Sequence, residues 1–511
     1  MIKQLSLPFD GLDEVEIEQL SNLKPIANNS FSHNDTCDDQ ERVLLEQQYK
    51  SLLEEADKFS RRIVSFQANK VEMLHNWIKY REGFSAQLIE VLFAELEIRP
   101  GQHILDPFAG SCTTLLEAKL HGVDATGIEL LPNCHLAWEA KTRAFEYDID
   151  ELYALRSHLQ QNIPSEVGTP FPHLNITEGA FPPDIEREVI NYAGWLNREE
   201  ASTLAWSKNV QILYQALLMA ILEDVSYTRK DGQYLRWDGR ATKIVERNKI
   251  RVAQGKKPMN GINKGQLLTV KKAILDKLDV IIHDVEQLQK HPPPSSHSHL
   301  KKGNNLYLLP TMESSQFDGV ITSPPYANRY DYTRTYALEL AYLNIDTQIF
   351  NLRQSLLSCT VENRSKEDDL KTFYTSIGRA DDYSNIWEII QASPVLNEVN
   401  RALEVRNQRG EINNRGVLRM IKQYFAELAF IYAELYRVCR SGAGVVFVND
   451  NVRYAGEVVP VDTVSTHLAE SVGFRPEKIY VLPQRKGNSS QQMGKFGRRA
   501  LRKSITIWRK P

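Results

Sequence analysis

The chain has 511 residues, 42% apolar and 25% charged, with a net charge of -3. That length allows about two to four domain-sized units of ordinary globular composition. No window comes near the ~18 uninterrupted apolar residues of a membrane span, and the start, Met1–Asp10, lacks the apolar core of a secretory signal. The five cysteines are scattered, odd in number and without CxxC spacing. They argue against both a disulfide scaffold and a zinc site, no metal being expected, and point to a reducing cytoplasm.

Residues 1–60 carry 13 acidic and 5 basic side chains and read as an acidic N-terminal segment. Within it, residues 41–59 have a helical pattern. The unit 61–136 begins with a helix over 86–97, with Leu88, Ile89, Leu92, Phe93 and Leu96 on one face. Pro100-Gly101 turns the chain, His103–Asp106 forms a buried strand, Thr113–His121 a helix and Val123–Glu129 a second strand. This β-α-β run opens a doubly wound α/β sheet. Residues 137–300 read as a mostly helical insertion, including Val210–Val225 and Leu268–Leu288. Its stretch 229–264 holds 11 basic and 3 acidic residues. His291–His299 is a linker by composition. The short unit 301–330 contains the strand Phe317–Ile321, and residues 331–416 form a second, mixed and polar insertion. The remainder, 417–511, supplies a helix near 418–437, strands at Val445–Val448, Lys478–Leu482 and Ser504–Trp508, and a helix near 463–471. Its last stretch, 485–511, holds 9 basic residues and no acid. Basic clusters of this kind suit phosphate contact, and solvated faces are the alternative.

Two turns concentrate the chemistry. Leu105-Asp-Pro-Phe-Ala-Gly-Ser-Cys-Thr-Thr114 runs from a strand into a helix. Gly110 lets backbone approach a ligand, and the helix beginning near Thr113 presents unpaired N–H groups. Glu129 ends the next strand, where an acid commonly bonds ribose hydroxyls. A dinucleotide-binding unit is the competing reading, but its GxGxxG spacing is absent. The second turn, Thr322-Ser-Pro-Pro-Tyr326, follows a short apolar strand. Its prolines fix two φ angles and withhold two donors, leaving carbonyls free to accept. Ser323 and Tyr326 are presented to a flat substrate; a Pro-Pro turn with a buried Tyr is the plainer alternative.

In this order the two turns resemble the motifs of S-adenosylmethionine-dependent DNA amino-methyltransferases, which modify cytosine N4 or adenine N6. The family pattern Asp-Pro-Phe-x-Gly-Ser-Gly-Thr-Thr is matched except that Cys112 replaces the second Gly. The resemblance implies a Rossmann-like methyltransferase sheet and a donor site at Asp106, Pro107, Phe108, Gly110, Ser111, Thr113 and Glu129. His75–Ile89 resembles the segment that precedes this turn, which would bring Phe84 and Ser85 to the methionine end of the donor. Gly303-Asn304 falls where the family often has Gly-Asp, placing Asn304 beside the donor's adenine.

Ser323, Pro324, Pro325 and Tyr326 correspond to the catalytic motif. Ser323 Oγ and the Pro324 carbonyl would accept the two amino hydrogens, and Tyr326 would stack on the extruded base. Ser-Pro-Pro-Tyr is commoner among cytosine-N4 enzymes, so the resemblance implies N4 modification of double-stranded DNA, with a cognate restriction endonuclease as partner. Adenine N6, an RNA guanine-N2 activity and an inactive DNA-binding protein remain alternatives. The C5-cytosine chemistry would need a Pro-Cys pair, and none occurs. DNA contact is expected from Ser226–Asp238 with the run to Lys264, from Asn328–Arg334, and from Gly487–Met493 with Gly497, Arg498, Arg499, Arg502 and Lys503.

Overall fold

The computed structural model describes residues 27–511 except 57, 60–62, 167–168, 196–205, 232–233, 347, 483–493 and 498. Its strands are β1 (Leu53–Glu55), β2 (His103–Asp106), β3 (Asp124–Glu129), β4 (Thr228–Asp231), β5 (Tyr234–Trp237), β6 (Ser298–Lys302), β7 (Phe317–Thr322), β8 (Cys439–Asp450), β9 (Val452–Tyr454), β10 (Glu457–Val459), β11 (Arg475–Leu482) and β12 (Lys503–Arg509). Eight of them form one sheet in the order β1-β11-β12-β8-β7-β2-β3-β6. All neighbours are parallel except β12, which runs antiparallel to both β11 and β8. This is the expected Rossmann-like α/β sheet. The chain winds outward from β2 through β3 to β6, then returns to place β7 on the other side of β2. The β2/β7 junction is therefore the topological switch point, where a crevice opens beyond the carboxyl ends of the strands.

Strand alternation divides the core in two. Val446 and Val448 join a cluster with the helices Ala86–Leu96, Thr113–Leu120, Lys208–Ile221 and Val270–Lys290. Val445 and Phe447 face the opposite way, against Gly416–Val438 and Val461–Ser471. The helices Ile149–Gln161, Pro183–Trp195, Lys208–Ile221 and Val270–Lys290 thus cover one face of the sheet. The second insertion, expected to be mixed, is largely helical: Glu367–Ser376, Ala380–Ala392 and Pro394–Gln408 lie on the other face, while Ala337–Tyr342 packs with the first cluster. Among the described residues no helix is long and apolar enough to cross a membrane.

Three local expectations differ. The helix expected over 41–59 stops at Gln48, and after a single 3-10 turn the chain becomes β1, a sheet edge paired with β11. The linker ends early, because Ser298–Lys302 is β6, paired along β3. The acidic N-terminal segment, where described, is part of the domain. Arg42 is fully buried and binds Glu398 (2.8 Å) and Glu457 (3.2 Å), while Glu46 is fully buried against Arg502.

Candidate active site

A cleft lies beyond the carboxyl ends of β2, β3 and β7, the place where an open α/β sheet receives its ligands. Its lining brings together residues far apart in sequence: Phe84, Pro107, Phe108, Gly110, Ser111, Thr113, Glu129, Asn304, Ser323 and Pro325. Ser85, Asp106, Pro324 and Tyr326 lie outside that lining.

The donor turn is shaped by close approach. Gly110 has φ +50°, and a Cβ there would stand 2.9 Å from Tyr80 Cε1. Cys112 also takes the left-handed region, at φ 63°, and its side chain is fully buried. The family's glycine position is thus a genuine positive-φ site occupied here by a small residue, at a backbone cost of about 1–2 kcal/mol. Beyond it the helix Thr113–Leu120 starts, directed at the cleft.

Glu129 closes the turn from β3. Its Oε2 accepts from Gly110 N (2.7 Å), and its Oε1 from Leu130 N and Leu131 N (both 2.8 Å). Burial pushes this carboxyl up to about 7, against the pull of the three N–H donors. Asp106 works behind the wall. Its Oδ1 accepts from Thr322 Oγ1 (2.6 Å) and Phe108 N (3.1 Å), and its Oδ2 from Thr114 Oγ1 (2.7 Å). It ties the end of β2 to the end of β7, and burial raises it to about 6. Ser85 is the N-cap of Ala86–Leu96, accepting from Leu88 N and donating to the Ile63 carbonyl (2.6 Å). Asn304 is on the wall, but its amide donates to Ser355 O (2.7 Å) and accepts from Leu306 N (2.9 Å).

The second turn presents Ser323 at the cleft. Its hydroxyl donates to the Val448 carbonyl at 3.1 Å and lies 3.2 Å from the Tyr326 hydroxyl. With its proton directed at a main-chain carbonyl, the oxygen is left to accept from a substrate N–H. Tyr326 is half-buried, and Lys503 Nζ lies 5.4 Å from its ring centroid.

Several wall residues were not anticipated. Tyr80, Glu82, Asn305, Leu131, Tyr332 and Leu357 all line the cleft. Glu82 receives the hydroxyls of both Tyr330 and Tyr336, joining the segment before Phe84 to the segment after the Ser-Pro-Pro-Tyr turn. Burial raises the Glu82 carboxyl, and the two tyrosine hydroxyls oppose this. The acid at 82 and tyrosines at 330, 332 and 336 were visible as residues; that they meet required the fold.

The basic stretches divide into structural and exposed charges. Lys230 is buried between Glu223 (3.2 Å) and Glu339. Arg334, within Asn328–Arg334, pairs with Asp331 and Glu362. In the C-terminal stretch, which lacks acids of its own, compensation comes from elsewhere: Arg502 meets Glu46 and Asp462, Lys495 meets Glu411, and Arg509 meets Glu477. Arg499 donates to Asn28 and the Ser30 carbonyl. Gly487–Met493 and Arg498 lie outside the described residues.

The lining fits an adenosyl donor. Phe84, Phe108, Leu131 and Leu357 offer apolar surface of the kind a base needs, and Glu129 presents a carboxylate of the kind that accepts from hydroxyls. No family model matches the chain. It is 50% identical over 484 residues to the type II methyltransferase M.BsoBI of Geobacillus stearothermophilus, covering 94% of each chain. It is 39% identical over 480 residues to the type II methyltransferase M.AvaI of Nostoc sp., covering 91% of this chain and 92% of the relative. The type II methyltransferase M.MjaII of Methanocaldococcus jannaschii is 21% identical over 346 residues, 53% of this chain and 63% of the relative.

Proposed function

Because the chain belongs to the type II methyltransferases, S-adenosylmethionine-dependent enzymes that methylate DNA, we propose that its acceptor is the exocyclic N4 of a cytosine turned out of the duplex. The observation that carries this reading is Ser323: a neutral hydroxyl at the cleft, its own proton directed at Val448 O. The Ser-Pro-Pro-Tyr wording, commoner among cytosine-N4 enzymes, supports it.

When bound, S-adenosylmethionine supplies a methyl group on a sulfonium, open to direct displacement. Phe84, Phe108, Gly110, Ser111, Thr113, Glu129 and Asn304, all on the cleft wall, would hold it. Ser323 Oγ and the Pro324 carbonyl accept the amino hydrogens and turn the nitrogen lone pair out of conjugation with the ring. Pro325 stiffens the turn, and Tyr326 flanks the base. A hydroxyl cannot hold the proton that the nitrogen loses, so that proton passes to water. The principal contribution is orientation of nitrogen and methyl, worth several kcal/mol. Asp106 acts by positioning, since it bonds the ends of β2 and β7 and not the cleft.

This reading places the protein in the cytoplasm beside a restriction endonuclease of the same sequence specificity. Incubation of purified protein with labelled donor and DNA, followed by nucleoside mass spectrometry, tests the acceptor. N4-methylcytosine is expected; N6-methyladenine as the only product overturns the assignment.

A further inference from the structure

We infer that residues 239–264 form a pinned, cationic arm that lies along the DNA duplex beside the extruded base, an inference that rests on the DNA-methyltransferase reading. The arm is closed at its base. Gly239 N donates to Ile262 O (3.0 Å), and Ile262 N to Trp237 O (2.9 Å). The two strands of the neck touch so closely that a Cβ on Gly261 would stand 2.4 Å from Gly239 N. Asp238, 1% exposed, binds Arg240 through its guanidinium (2.8 and 2.9 Å) and accepts from Lys264 N (2.7 Å). Lys264 Nζ donates to the carbonyls of Ser226 and Thr228 (both 2.7 Å) and of Glu223. Three of the stretch's charges, Lys230, Arg240 and Lys264, are therefore spent on fixing the root.

The body of the arm has the opposite character. Its helix, Thr242–Ala253, buries only Ile244. Ile250 is 59% and Val252 60% exposed. The return segment is held to the helix by Asn248, which accepts from Met259 N (2.7 Å), and by Arg251, which donates to Lys257 O (2.9 Å). The arm thus has internal order without a hydrophobic core of its own. From 239 to 264 there are eight basic residues and one acid. Arg247, Lys249, Arg251, Lys256 and Lys257 make no ion pair with an acid among the described residues.

The root stands next to the candidate active site. β5 packs against the helix Tyr332–Thr335, which carries Tyr332 of the cleft wall. Lys230 of β4 pairs with Glu339, and its Nζ lies 5.4 Å from the centroid of the Tyr336 ring. A twelve-residue helix extends for about 18 Å, enough to follow several base pairs from that point. Unpaired cations contact phosphates, and the exposed aliphatic groups suit sugars and thymine methyls in a groove.

The test uses the full chain with Arg247, Lys249, Lys256 and Lys257 all replaced by Ala, and a control with Lys371, Arg401, Arg409 and Arg415 all replaced by Ala, equally exposed charges elsewhere. Binding to a mixed-sequence duplex of about 30 base pairs is followed by fluorescence anisotropy as salt is varied. The arm variant is expected to bind about tenfold or more weakly at 0.1 M salt, with a salt slope shallower by about 2 to 4. Its donor affinity by calorimetry stays within about twofold of the parent, which shows the fold is intact. A loss no larger than the control's overturns the inference, as does a variant that loses affinity for anionic phosphatidylserine vesicles but not for duplex. If the unsubstituted protein neither binds nor methylates duplex DNA, it is the DNA-methyltransferase reading that fails.

Discussion

Ser323 and Glu129 show how main-chain contacts set what a side chain offers. The Ser323 proton points at Val448 O, so Ser323→Ala removes an acceptor for the substrate while leaving the donor wall intact. Turnover is expected to fall about 100-fold, as for loss of one preorganised polar contact to a reacting group, with donor affinity within about twofold. Single-turnover kinetics and calorimetry separate the two; equal losses in both would mark the turn as structural. Burial raises the Glu129 carboxyl to about 7. Ribose hydroxyls donating to it favour the ionised form, so donor binding lowers its pKa and releases a proton. Donor affinity is therefore expected to weaken as pH falls below 7, by up to about tenfold per unit. Glu129→Gln should lose both this dependence and the proton release seen by calorimetry in buffers of different ionisation heat.

At the scale of elements, the N-terminal helix Gln40–Gln48, the helix Val461–Ser471 and Arg502, which leads into β12, depend on one another through charge. Arg502 donates from Nε to Asp462 Oδ2 (2.6 Å) and from Nη2 to Glu46 Oε2 (2.9 Å), with all three side chains fully buried. Arg502→Met would strand two buried carboxylates, and a loss of about 3–5 kcal/mol is expected in urea unfolding at neutral pH. Arg502 holds the Asp462 carboxyl below its ordinary range against the cost of burial, so the parent loses this stabilisation as pH falls through that lowered value, and the deficit should shrink in acid. This network also explains what the sequence hid. Local patterns were enough for the helix Ala86–Leu96, with its Ser85 cap and apolar face, and for β2, β3, β7 and β12. They failed for β1 and β6, whose short polar or histidine-rich runs become strands only because β11 and β3 offer an edge. They failed again for the charge of 485–511, which counted as uncompensated until Glu46, Glu411, Asp462 and Glu477 arrived from distant parts of the chain. The cleft itself was half legible. Gly110, Glu129 and Ser323 carry recognisable wording, whereas Tyr80, Glu82 and Tyr332 act through position alone.

Across the whole molecule the two motif turns, about two hundred residues apart, are brought to one crevice by strand order, and one hydrogen bond joins them directly. Thr322 Oγ1, on β7, donates to Asp106 Oδ1, on β2, at 2.6 Å. Asp106 titrates at about 6 in the fold, above its ordinary 3.8, so its ionisation opposes folding. That cost is absent below pH 4 and fully present above 6. The Thr322 hydroxyl offsets part of it by donating to the ionised form. Thr322→Val keeps the volume and removes this donor, so the Asp106 carboxyl should titrate still higher. The expected loss is about 1–3 kcal/mol at pH 8, smaller at pH 5, where the carboxyl is protonated in both proteins; urea unfolding at the two pH values measures it. A pH-independent loss would mean that the threonine matters for packing and not for the carboxylate. Because the bond holds donor wall and acceptor turn in register, turnover should fall further than donor affinity, and a variant that is less stable yet turns over normally would show that the sheet alone aligns the two halves.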